Sequence, residues 1–227
     1  MERGLECRSV GLCRKDRDGS LQTVLVGVDA VFPAGTVSLV TGPTGAGKSS
    51  LLHILGCLLR PTEGEVLADG EAVSRWISAH RNLWRRRVGI VFQNPQLMAD
   101  LTVLENVILP LIPRGPSIPE VRARGIKELA KLGIDQLAGK ETAALSGGER
   151  QRASIARALI SRPDFVLADE PTSHQDNHSA DMIMGSLRRA AGRDSAVIVA
   201  AHDPRVVNAD FADRRWCLEG GRLRAMR

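Results

Sequence analysis

Eight residues, GPTGAGKS at positions 42–49, restrict the fold of this chain more than any other stretch. They fit G-x-x-x-x-G-K-[ST]. Before them stands a short β-branched run, TVSLV, with Val37–Val40 as its strand. After them comes SSLLHILGCLL, in which Leu51, Leu52, Ile54, Leu55, Leu58 and Leu59 recur at helical spacing up to Arg60-Pro61. Strand, glycine loop and helix are the context in which this pattern cradles phosphates. Glycine lets the backbone curl around phosphate oxygens, and the helix points its positive end at the same anion. The expected nucleotide-binding set is therefore Gly42, Pro43, Thr44, Gly45, Ala46, Gly47, Lys48, Ser49 and Ser50. Lys48 would reach the β- and γ-phosphates of ATP, and the Ser49 hydroxyl would ligate Mg²⁺.

The rest of the chain supplies strands and helices in alternation. GEVLADGEAV reads as a strand pair turning at Asp69-Gly70, and VGIVFQ (88–93) as a buried strand ending at Gln93. Residues 94–144 differ in character. Pro110, Pro113, Pro116 and Pro119 break up the first half, and PEVRARGIKELAKLGI then reads as an amphipathic helix with proline in its first turn. A second helix, ERQRASIARALI, is followed by strands at 165–168 and at 196–201 (AVIVAA), and by a last hairpin turning at Gly220-Gly221. Such alternation predicts an α/β fold with a mainly parallel sheet, an antiparallel β region and ligands at the carboxyl ends of the parallel strands. The expected organisation is one domain over 1–227: a nucleotide-binding core with its β region over 1–93 and 145–227, and a small α-helical subdomain over 94–144.

Composition excludes little. With 227 residues and a net charge of +5, the chain is an ordinary globular length with a mild basic excess. The run HRNLWRRR (80–87) reads as a solvated helix face, and no nucleic-acid partner is expected. Cys7, Cys13, Cys57 and Cys217 are scattered without metal-like spacing, which predicts free thiols in a reducing compartment. The opening MERGLECRSV lacks the apolar core of a secretory signal, and no apolar run approaches the ~18 residues that span a bilayer.

The apolar strand FVLA (165–168) runs straight into Asp169-Glu170. A carboxylate pair at a strand end, opposite a phosphate loop, suits two tasks. Asp169 would hold Mg²⁺, and Glu170 would polarise an attacking water. Gln93 and His202 close two further strands in the same manner, although taken alone Gln93 reads more readily as a polar strand cap and His202 as a satisfied surface or core histidine. LSGGERQR (145–152) puts Ser146, Gly147 and Gly148 at a helix start, a second anion site on the same chain. Two such sites suggest that each serves a different nucleotide, as in an ATP sandwich between two chains.

The ordered set GPTGAGKS, Gln93, LSGGE, FVLADE, Asp176 and His202 resembles the ATP-binding cassette ATPases over nearly the whole chain. That resemblance implies the fold of those ATPases, ATP and Mg²⁺ as ligands, and ATP hydrolysis in a head-to-tail dimer of two copies. It implies integral membrane permease subunits as partners, and a place on the cytoplasmic face of the cell membrane. By position, Glu170 resembles the general base and His202 the switch that contacts the γ-phosphate. Gln93 resembles the residue that senses Mg²⁺ and touches the permease, so the implied metal set is Ser49, Gln93 and Asp169. Asp176 resembles the acidic residue of the loop that bridges the subunits near ATP. LLHILGCLLRPTEGEV and VFQNPQLMADLTVLENVILPL are similar to the ATPases of lipoprotein-releasing, macrolide-exporting and cell-division systems. The last of these leaves a slow-turnover, force-transmitting module as an alternative.

Two departures stand out. Such ATPases usually stack a tyrosine on adenine, and this chain has no tyrosine; Asp16 falls near that place, with Arg14 and Arg17 beside it as guanidinium substitutes. Weaker ATP binding and relaxed discrimination against GTP are expected. In Ser173-His174-Gln175-Asp176, His174 and Gln175 are bulkier than usual. They read as a tolerated polar loop, with a pH-linked contact to the opposite subunit through His174 as the alternative.

Overall fold

The computed structural model describes residues 3–15, 19–75, 78–114, 117–173, 175–207 and 210–226. The chain opens with two long antiparallel strands, β1 (Gly4–Lys15) and β2 (Leu21–Pro33). Then come β3 (Val37–Thr41), α1 (Lys48–Leu55), β4 (Glu63–Ala68) and β5 (Glu71–Ala72). The first sheet has the order β2-β1-β4-β5 and is antiparallel throughout. Its β4–β5 turn is Asp69-Gly70, with φ of 49° and 87°, the left-handed pair that a tight two-residue hairpin needs.

Next follow α2 (Ser78–Arg85), β6 (Val88–Val91), α3 (Val103–Ile108), α4 (Ile118–Ala130), α5 (Gly147–Leu159) and β7 (Phe165–Asp169). The chain ends with α6 (Asn177–Ala191), β8 (Ala196–Ala200), α7 (Pro204–Val207), β9 (Arg214–Glu219) and β10 (Arg222–Met226). The second sheet runs β10-β9-β3-β8-β7-β6, parallel throughout except for the terminal β9–β10 hairpin. This is the α/β architecture with a mainly parallel sheet that the alternation predicts.

The parallel sheet divides two cores. In β7, Phe165 and Leu167 face a core built with α1 and the antiparallel sheet, while Val166 and Ala168 face one built with α3, α4, α5 and α6. In β8, Ile198 joins the first core and Val197 and Val199 the second. Strands covered on both faces read as unbroken apolar runs, which is why FVLA and AVIVAA look as they do.

Several expectations need correction. Helix α1 stops at Leu55, not at Arg60-Pro61. Cys57 takes a left-handed φ of 53°, and Leu58 N–H donates back to the His53 carbonyl, so the chain turns away although leucines continue. Strand β6 ends at Val91, leaving Phe92 and Gln93 in the loop beyond it. The helix placed over 119–134 is α4, which ends at Ala130. Within HRNLWRRR, Trp84 is a core residue packed at a tilt against Phe165, ring centroids 4.8 Å apart, and Arg87 pairs with Asp69 and Asp164, each at 2.6 Å. The run is therefore not a simple solvated face. All four cysteines are free, and burial pushes the Cys7 thiol up to about 12. Among the described residues no helix is long and apolar enough to cross a membrane.

Candidate nucleotide site

Strands β3, β8, β7 and β6 lie side by side and parallel, and each delivers one predicted motif at its carboxyl end. The phosphate loop follows β3, His202 follows β8, Asp169 and Glu170 end β7, and Gln93 follows β6. They meet in an open cleft of about 630 Å³, lined by Pro43 through Ser50, Gln93, Asp169, Glu170 and His202.

The loop's glycines are required by its path. A Cβ on Gly42 would stand 2.1 Å from the Leu218 carbonyl oxygen, and Gly47 caps α1 with a φ of 102°. Lys48 is buried, and its Nζ donates to the carbonyls of Gly42 (2.8 Å) and Pro43 (3.1 Å). The ammonium is thus held inside the loop, with one of its three hydrogens uncommitted.

Asp169 is buried at the end of β7, and burial raises its carboxyl above the usual carboxylate range. The Ser49 hydroxyl donates to it and offsets part of that shift, while the neighbouring Glu170 charge adds to it. A buried carboxylate, joined to a hydroxyl and facing a cleft that Gln93 also lines, fits a hard divalent cation with oxygen ligands. Mg²⁺ therefore fits these residues.

Glu170 is also buried, and its φ of 48° places a non-glycine residue in the left-handed region. Its N–H still reaches the Ala200 carbonyl at 2.8 Å, so the strand ladder holds while the side chain is re-aimed. Its carboxylate accepts from His202 twice: from ring Nδ1 at 2.6 Å and from the backbone N–H at 3.3 Å. The imidazole is otherwise largely exposed to the cleft. Strain of this kind concentrates at functional positions.

Ser146, Gly147, Gly148 and Asp176 do not line this cleft. Ser146 caps α5 in a reciprocal box: its hydroxyl accepts from Glu149 N–H at 3.2 Å, and Glu149 accepts from Ser146 N–H at 2.7 Å. Asp176 caps α6, accepting from the Ser179 N–H (2.8 Å) and hydroxyl (2.9 Å). Gln175, read as part of a tolerated polar loop, is buried within its own chain. Its amide donates to the Gly148 carbonyl at 3.3 Å and accepts from Arg152 at 3.0 Å. Arg205 of α7 then donates to the carbonyls of Gln175 (2.8 Å) and Thr172 (3.3 Å). His174, Asp16 and Arg17 lie outside the described residues.

Sequence reasoning missed the wall formed by Gln22, Thr23, Val24 and Gly220-Gly221, which shares the cleft with Arg14. The only signal was the glycine pair, read as a turn and nothing more. No aromatic residue lines the cleft among the described residues.

Comparison with known proteins agrees with this geometry. Residues 25–173 match the family model described as ABC transporter. The dimeric ATP-binding cassette MJ0796 in a post-hydrolysis state bound to ADP and Pi superposes with a TM-score of 0.91 at 34% identity, covering 98% of each chain. A second dimeric structure of MJ0796, described as a bacterial ABC transporter cassette, gives 0.91 at 33% identity, over 98% of this chain and 99% of that one. CbiO1 of Clostridium perfringens, part of the ABC transporter complex CbiONQ, gives 0.82 at 27% identity over 99% and 88%.

Proposed function

Because the chain belongs to the ABC transporter family, we propose that it is the ATP-hydrolysing subunit of such a transporter. It pairs head to tail with a second copy and drives membrane permease subunits from the cytoplasmic face. One observation carries the reading. The chain has two loops that start helices and suit phosphate, yet only the one before α1 shares a cleft with Asp169, Glu170 and His202. The other, Ser146-Gly147-Gly148, is left for a nucleotide held by another copy. MJ0796, dimeric and bound to ADP and Pi, supports that arrangement. CbiO1, part of a transporter complex, supports the permease.

Glu170 is the general base. Its carboxylate takes a proton from the attacking water, and the left-handed backbone aims it out of the strand line. His202, fixed by the same carboxylate through Nδ1, keeps its other ring nitrogen for the terminal phosphate. Lys48 moves its ammonium from loop carbonyls to phosphate oxygens. Ser49, Gln93 and Asp169 would hold Mg²⁺, which would supply charge neutralisation on the phosphates. Asp176 belongs to the loop facing the second copy, and residues 94–144 form the helical subdomain beside the permease. Resemblance around LLHILGCLLRPTEGEV favours an exporting or lipoprotein-releasing permease.

Glu170→Gln keeps size and a hydrogen-bonding side chain but removes the base. Hydrolysis should fall by about 10²–10⁴-fold, while ATP-bound dimers accumulate on a sizing column. Normal turnover by this variant would remove Glu170 from the role of base.

A further inference from the structure

A second cavity, of about 330 Å³, lies at the other ends of β7 and β8, beside Asp164 and Ser195, which precede those strands. Its walls come from the last turn of α4, α5 or α6, from the residues just past them, and from Arg3. Five cations surround it: Arg3, Lys131, Arg162, Arg189 and Arg193. Lys131 is paired with Glu128, and Arg189 donates to the Ser186 hydroxyl at 2.7 Å. The guanidiniums of Arg3, Arg162 and Arg193 have no acceptor among the described residues. Of the three carboxylates in the walls, Glu128 is held by Lys131 and Asp164 by Arg87. Asp194 alone is left against three uncommitted guanidiniums.

The backbone adds an independent observation. Arg162 and Asp194, just past α5 and α6, have φ of 50° and 69°, left-handed values at non-glycine residues. For arginine, which lacks the short side chain that lets aspartate settle there, this costs roughly 1–2 kcal/mol. A cation near a helix C-terminus is favourable in itself. That accounts for single charges at helix ends, not for three solvent-exposed guanidiniums, without a protein acceptor among the described residues, gathered around one open cavity.

We propose that this cavity binds a small phosphate-bearing anion, either free phosphate or a phosphomonoester, through Arg3, Arg162 and Arg193. Planar guanidinium forks suit paired phosphate oxygens, and three of them from three chain segments give a charge-assisted cradle. A bound anion would join the last turns of α5 and α6. The first turns of those helices, about 20 Å away at 1.5 Å per residue, carry Ser146 and Asp176. The site is independent of the ATPase reading.

The experiment is a calorimetric titration of inorganic phosphate and, separately, of glycerol phosphate into the Lys48→Ala chain, which disables the phosphate loop. Saturable binding of either is expected, and identifies which source the site takes. It should weaken by about tenfold or more in Lys48→Ala chains that also carry Arg162→Gly or Arg193→Gln, the loss of one charge-assisted contact. Arg162→Gly suits the left-handed backbone, so its melting temperature should not fall. Absence of saturable binding to Lys48→Ala would overturn the proposal, and so would binding that neither arginine substitution changes.

Discussion

Asp169, the proposed metal ligand, sits where its charge costs the fold stability. Burial raises its carboxyl above the ordinary range, so its ionised form at neutral pH opposes folding when no cation is present. The sign follows directly. A raised folded value gives stability at low pH that is lost as pH rises through it. Asp169→Asn removes that charge, and the nucleotide-free chain should melt higher at pH 7, by ~2–4 °C for about 1 kcal/mol of relief. The extra stabilisation given by Mg²⁺ and ATP should shrink in the same variant. A lower melting temperature without ligand would contradict this account. At this scale the sequence was informative where chemistry is local: Asp169 and Glu170 stand together after an apolar run. It was silent on Gln175, whose partner Arg152 lies 23 positions away and is chosen by packing between loop and helix. The left-handed turn at Glu170 left no local mark either, because glutamate has no preference for it.

Elements were legible in proportion to their length and regularity. Strands covered on both faces declare themselves by continuous apolar runs, and α5 by its serine start and helical spacing. Helix α3 has six residues, too few for a period to show. Its only mark is the Thr102–Glu105 capping box, in which Thr102 N–H donates to Glu105 at 2.8 Å. How closely elements approach is written in glycines. A Cβ on Gly89 in β6 would meet the Ala158 carbonyl oxygen of α5 at 2.4 Å and Pro163 Cγ at 2.9 Å. Gly89→Ala must therefore force strand and helix apart, at a cost of about 1–3 kcal/mol. Gly139→Ala, where an added Cβ meets nothing within 4 Å, is the control and should be close to neutral. Urea unfolding midpoints for the two variants test the contrast; equal midpoints would mean that β6 and α5 are not in rigid contact.

Across the whole molecule, carboxylates secure helix starts and loop ends. Glu105, Glu120 and Glu149 are held below the usual carboxylate range by capping threonine or serine, and Asp176 by Ser179. Asp203 is lowered by Arg205, and Asp213 by Arg188. A depressed folded value gives stability above the unfolded value, about 4, that is lost as pH falls through the folded one. Unfolding midpoints in urea should change little from pH 7 to 5 and drop steeply below about 4. The Asp169 contribution runs the other way and is outnumbered. A midpoint that rose on acidification would refute this balance. The general architecture was legible because parallel strands, helices and phosphate loop all point to one fold. The basic cavity was not, since its cations come from positions 3 to 193 and no local pattern links them.

The sheet's two-sided burial also bears on tolerance to error. The proposed catalytic groups stand at the ends of four strands whose pairing is fixed residue by residue, with Asp169 opposite Ala200 and Val91 opposite Ala168. A slip of one position in β7 would exchange Phe165 and Leu167 with Val166 and Ala168 and spoil both cores at once. A slip of two would preserve the facing but carry Asp169 about 6.6 Å along the strand, out of reach of Ser49. The accuracy with which a phosphate and a water can be aligned is therefore guarded by aliphatic side chains that touch neither.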